Sequence, residues 1–162
     1  AFGESFFAWI KLDNVSGTKY IVCHGRVITE DNAVYGGIYV ESATAKFRLY
    51  KNSTYQTVSG TSTLSANTWY HIVGTYDGES NDDKMRIYID GELEATSSAL
   101  GGDFYTGEPT IAHVGRNVNT LAGNKDYYFD GLLDEVKIYN RALSLAEINK
   151  NYKHGKGKHK ND

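Results

Sequence analysis

Apolar and polar residues alternate in short runs along most of the chain, separated by breaks rich in glycine, asparagine and aspartate. Alternation with a period of two sends successive side chains to opposite faces, so each run predicts a strand with one face turned to a core. The predicted strands cover 4–12, 18–24, 35–41, 45–51, 54–59, 69–77, 84–90, 92–97, 109–116 and 127–140. Turn signals recur roughly every 8 to 12 residues, the spacing of a sandwich rather than of alternating strands and helices. In "IDGEL", Asp90-Gly91 supplies the positive φ angles of a tight hairpin.

The period changes once, in "SLAEINKNY" from Ser144. Ser144 and Glu147 form a capping box, and Leu145, Ile148 and Tyr152 fall on one side at helical spacing. So short a helix must lie against the sheets. The following "KHGKGKHKND" has no apolar anchor. The reading is therefore one domain over 1–152 and a basic flexible tail over 153–162.

Length and composition agree with an all-β domain. The chain has 162 residues, with thirteen tyrosines, six phenylalanines, and 17 glycines against one proline. No apolar run approaches the roughly 20 residues of a membrane-spanning helix. Residues 1–149 carry 12 basic and 19 acidic side chains, a net −7, while the last stretch holds five lysines. An acidic body argues against a nucleic-acid partner, which needs a cationic face.

Catalytic patterns are weak. Cys23 and His24 are neighbours in a strand, so they point to opposite faces and are badly placed to share a proton. Strict alternation over 127–140 puts Asp134 with Leu132, Val136 and Ile138, and Glu135 with Leu133, Lys137 and Tyr139. Acids on opposite faces cannot flank one glycosidic bond. Glu92 and Glu94 read as solvent-facing residues of an outer strand. His24, His71 and His113 lie in three separate strands without ligand spacing. "DGESNDDK" places oxygen-bearing side chains at alternate positions, but lacks the mid-loop glycine and closing glutamate of a calcium loop.

Three blocks then resemble one family. "SFFAWIKLDN" carries a tryptophan near the centre of an apolar strand; "NTWYHIVGTYDG" runs into "MRIYIDGELEA"; and "HVGRN" precedes "FDGLLDEVKIYNRALS". In this order they resemble the laminin-G-like, concanavalin-A-like domains, which implies an antiparallel jelly-roll β-sandwich with one short C-terminal helix. The fold hosts many functions and does not itself name a ligand.

The resemblance implies a non-catalytic extracellular or cell-surface module whose partner is a carbohydrate or glycoprotein. Two other readings stay open: a structural or adhesive subunit joined by strand addition and, more distantly, a glycan hydrolase. The sequons at Asn14 and Asn52 are compatible with export. Tyrosines and amides on glycine-rich loops suit sugars, so Phe104, Tyr105, Asn117, Tyr127 and Tyr128 are the candidate ligand-binding residues. Calcium is the one cofactor the resemblance brings in. Its positions map to Asn67, Asn124 and Asp126, although Asn67 is an amide where calcium-binding members carry a carboxylate. Members also begin with a further strand beside the last long one; for this chain a processed N-terminus, a longer parent polypeptide, and a strand supplied by a neighbouring copy or another segment all stay open.

Overall fold

The computed structural model describes residues 3–26, 33–51, 54–78, 82–101, 111–117 and 127–160. Ten strands and one helix follow in chain order: β1 Gly3–Leu12, β2 Thr18–Arg26, β3 Ala33–Glu41, β4 Thr44–Lys51, β5 Thr54–Ser59, β6 Trp69–Asp77, β7 Lys84–Ile89, β8 Glu92–Thr96, β9 Ile111–Val114, β10 Gly131–Tyr139 and α1 Leu145–His159. They form two antiparallel five-stranded sheets, β10-β1-β6-β7-β8 and β5-β4-β3-β2-β9. The strands match those read from alternation to within a few residues at each end.

The core lies between the sheets. Phe6, Ala8, Ile10 and Leu12 of β1 face Ile38, Val40, Phe47 and Leu49 of β3 and β4. The other face of β1 is buried as well, because Phe7 and Trp9 pack with Val73, Tyr88, Leu143 and Ile148 beneath α1. This two-sided burial explains why β1 is nearly continuous in apolar residues instead of alternating.

The Asp90-Gly91 hairpin forms as expected, with φ of 52° and 86°. Asp90 Oδ1 also accepts from the His71 amide at 2.9 Å. The capping box forms at Ser144 and Glu147. Glu147 takes in addition a two-pronged bond from Arg141, at 3.0 and 2.6 Å.

Three expectations are corrected. First, the helix does not stop at Tyr152; it runs to His159, so residues 153–159 of the segment read as a flexible tail are helical and docked. His159 is 4% exposed. Its ring lies between Trp9 and Trp69, with centroids at 4.6 and 4.4 Å. Composition missed this because the docking rests on an imidazole and a glycine, not on aliphatic residues: a Cβ at Gly155 would sit 2.3 Å from Trp9 Nε1. Lys158 pairs with Asp134, and Lys160 with Asp90 at 2.8 Å.

Second, β10 does not alternate strictly. Its register against β1 jumps between Phe7↔Lys137 and Trp9↔Asp134, a bulge in which Glu135 takes φ 50°. Leu133 and Val136 therefore both pack on the core. Asp134 turns to α1, where it meets Lys158 and lies 3.4 Å from His159 Nε2. Third, Glu94 is not simply solvent-facing. It accepts from the backbone amides of Thr61 and Ser62, each at 2.8 Å, and from both hydroxyls. Although partial burial works against the charge, these donors hold its carboxyl down at about 2.

One end of the core is closed by a polar layer. Glu4 Oε2 meets His24 Nε2 at 2.8 Å. Lys51, 2% exposed, donates to Tyr76 Oη at 2.6 Å and to Asp83 Oδ1 at 2.7 Å. Buried charge is tolerated there because each partner is present.

Candidate functional site

The outward face of the second sheet holds a concentration of aromatic and charged side chains. Cross-strand register builds it as three rows. Lys46 opposes Ser59 and Tyr39, which opposes Tyr20. Arg48 opposes Thr57 and Gly37, which opposes Cys23, which opposes His113. Tyr50 opposes Tyr55, and its ring lies 6.2 Å from that of Tyr35.

Arg48 stands at the centre. Gly37 of β3 stands opposite it, and the guanidinium reaches two phenols. Nη1 donates to Tyr20 Oη and Nη2 to Tyr39 Oη, each at 3.2 Å. Gly37 cannot be filled cheaply, since a Cβ there would meet Cys23 Cβ at 2.5 Å and the Val22 carbonyl at 2.7 Å. The guanidinium carbon lies 5.0 Å from the Tyr39 ring centre and 4.8 Å from that of Tyr55. Tyr20 and Tyr39 stack at 5.0 Å and 15°, and Tyr50 meets Tyr55 edge-on at 5.1 Å.

Exposure divides the face. Tyr20 and Tyr39 are each 2% exposed and form its floor, whereas Tyr55 is 44% exposed and presents its ring. Burial pushes the Tyr20 phenol up, against the pull of Arg48. Burial also works against the Arg48 charge, but the Tyr20 and Tyr39 phenols outweigh it and hold the guanidinium above its ordinary value. A fixed cation inside a ring of phenols can accept hydroxyls, an anion and the apolar face of a ring.

The residues expected from sequence fall unevenly about this face. The Tyr127 ring lies 6.2 Å from that of Tyr20, and the Tyr127 carbonyl accepts from the Tyr20 amide at 3.2 Å. Asn117 is buried beside β2, with its carbonyl accepting from Arg116 Nε at 3.2 Å. Tyr128 is exposed. Phe104, Tyr105, Asn124 and Asp126 lie outside the described residues. Asn67 takes φ 59°, and its amide donates to the Leu12 carbonyl at 2.7 Å. Among the described residues, no group of three or more histidine, cysteine or acidic side chains is placed to hold a metal. Tyr20, Tyr39, Arg48 and Tyr55 were missed: all four lie in predicted strands, and ligand residues were sought on the glycine-rich loops.

Four carboxylates elsewhere are engaged. Glu4 meets His24, Asp83 meets Lys51, Asp134 meets Lys158, and Glu94 holds the turn at Thr61. His24, His71 and His113 stay in separate strands, as expected. His71 packs edge-on to Phe7 at 4.5 Å, and burial, with Lys137 adding to it, drives its imidazole down to about 3.

Two stacked antiparallel sheets with a short terminal helix define a lectin-type β-sandwich. The chain belongs to the concanavalin A-like lectin/glucanases superfamily, whose family model matches residues 3–149. No curated protein matches it. Among solved structures it is similar to the CBM40 of the Ruminococcus gnavus IT-sialidase bound to α2,3-sialyllactose: 16% identity, 93% of this chain, 82% of that one, TM-score 0.77. It is also similar to the heptameric SAP-like pentraxin of Limulus polyphemus, at 21% identity, 91% and 68% coverage and TM-score 0.66. The binding domain of botulinum neurotoxin serotype D is similar at 20% identity, 94% and 37% coverage and TM-score 0.60. At these identities the likeness is one of fold.

Proposed function

We propose that this chain is a non-catalytic, extracellular glycan-binding module that takes its ligand on the outward face of the β5-β4-β3-β2-β9 sheet. The observation that carries the reading is Arg48 held between the Tyr39 and Tyr55 rings at the centre of that face. An exposed ring offers stacking to a pyranose, and a fixed guanidinium offers hydrogen bonds to its oxygens. The carbohydrate-binding module among the similar structures supports the same reading. Tyr127 extends the face, and Phe104, Tyr105, Asn117 and Tyr128 are proposed to contribute to ligand binding.

The test is a broad glycan array, probed once with millimolar calcium and once with chelator. Binding that Tyr55→Ala weakens supports the site; loss of binding in chelator would add a rim calcium at Asn67, Asn124 and Asp126. A folded protein silent on every glycan would overturn the proposal. The reading then favoured is assembly by strand addition at β10, the outermost strand of its sheet among the described residues, where Leu132 is 55% and Ile138 41% exposed.

A further inference from the structure

About half of the basic side chains among the described residues are matched by acids. Lys46 pairs with Glu41, Lys51 with Asp83, Arg86 with Asp82, Lys137 with Glu135, Arg141 with Glu147, Lys158 with Asp134 and Lys160 with Asp90. Arg48 differs. Among the described residues no carboxylate lies within ion-pair distance of it, although residues 1–149 hold 19 acids against 12 bases. Glu41, an acid on the same face, gives its carboxylate to Lys46 and to Thr18 Oγ1.

The partners Arg48 does have are neutral. Two phenol oxygens accept from it at 3.2 Å, long for hydrogen bonds to a guanidinium. Its Nε is buried and has no hydrogen-bond partner. A guanidinium has five donors, so this one is under-used. Partly withdrawing a cation from water without a counter-charge is costly, and the cost is recovered if an anion from outside completes the site. The planar fork matches a carboxylate in two-pronged fashion better than it matches neutral hydroxyls.

Resting on the glycan-binding reading above, we infer that the ligand is an acidic glycan whose sugar carboxylate docks on Arg48. The neighbouring Tyr55 ring takes the apolar face of the same or the adjoining sugar, and the Tyr20 and Tyr39 hydroxyls hold the guanidinium flat to receive the carboxylate. His113, in the same row, is turned toward its neutral form: burial, with Arg116 adding to it, pushes the imidazole down. Nonulosonic and uronic sugars share the carboxylate, and the experiment separates them.

The experiment titrates the whole chain with sialyllactose, its carboxyl methyl ester, lactose, a glucuronate-terminated oligosaccharide and a sulfated lactose. The free acid should bind roughly tenfold or more tightly than its ester and than lactose, the range expected for hydrogen bonds to a charged group. That preference should shrink as salt is raised. Arg48→Gln should abolish it, and Arg48→Lys should keep only part, because the ammonium lacks the fork. The comparison of acid with ester uses unaltered protein, so it stands even if Arg48→Gln fails to fold, and a purely structural arginine would not produce it. A preference for only one of the sialylated and glucuronate probes names the source of the carboxylate. Equal binding of acid, ester and lactose would overturn this inference and leave the glycan-binding reading intact. Binding of the sulfated probe alone would overturn the carboxylate assignment. No binding to any probe or array glycan would overturn both.

Discussion

The docking of α1 on Trp9 can be tested with two glycines that differ by two positions. Glycine inside a helix costs about 1 kcal/mol relative to alanine. On propensity alone, Gly155→Ala and Gly157→Ala should both stabilise the protein. Their surroundings separate them. A Cβ at Gly157 meets nothing within 4 Å, so the full gain should appear. At Gly155 the Cβ would lie 2.3 Å from Trp9 Nε1, 2.6 Å from Cε2 and 2.9 Å from Cζ2. Ordinary carbon contacts need about 3.5 Å or more, so the helix or the indole must move by about 1 Å.

Trp9 has nowhere to go. It is fully buried, with His159 at 4.6 Å, His71 at 5.2 Å and Tyr152 at 5.7 Å around its ring. Overpacking of this kind costs about 1 to 3 kcal/mol. The overlap therefore outweighs the propensity gain, and Gly155→Ala should come out about 1 kcal/mol less stable, with Gly157→Ala about 1 kcal/mol more stable. For a domain of this size the two melting temperatures should differ by about 5 °C. The assay is thermal and urea unfolding followed by tryptophan fluorescence. If both variants shift the same way by the same amount, the helix does not rest on Trp9 through Gly155, and the account of the C-terminal segment is wrong.

Two further perturbations probe the buried polar groups. The folded-state imidazole of His71, at about 3, lies below its unfolded value of 6.5. The unfolded chain therefore takes up a proton that the folded one refuses. Stability should be complete above pH 6.5 and fall toward pH 3 by up to about 1.4 kcal/mol per unit. His71→Phe should flatten that slope in urea titrations, and an unchanged slope would assign the acid sensitivity elsewhere. Asp83→Ala takes the carboxylate away from the buried Lys51 ammonium, which should cost about 3 kcal/mol. Adding Lys51→Met should restore part of the loss, and a cost no larger than that of a surface pair, under about 1 kcal/mol, would show that the ammonium escapes to water.

The sandwich was legible because its signals are local. Runs of strand-forming residues between turn signals located ten strands, Asp90-Gly91 encoded its own hairpin, and Ser144 with Glu147 marked the start of the helix. Where a reading failed, a local rule met a tertiary contact. Strict alternation along 127–140 gave Asp134 the wrong neighbours, because the bulge at Glu135 adds a residue to one strand and resets the faces after it. Composition made the last ten residues a tail, because nothing local says that an imidazole will lie between two tryptophans of an otherwise uncovered sheet face.

The candidate site was the least legible part. The sequence by itself determined that positions 39, 46, 48 and 50 point outward, and that a tyrosine-rich, glycine-punctuated chain would build two sheets. Tertiary structure alone decided that Tyr20 and Tyr39 stack, that Gly37 stands opposite Arg48, and that Tyr55 swings over the guanidinium from the next strand. The physical reason is register. Side-chain direction depends on the strand's own period, whereas the identity of the neighbour across the sheet depends on loop lengths and on bulges such as those after Tyr20 and His24 in β2. A one-residue slip of β3 against β4 would keep every strand in place and scatter the site.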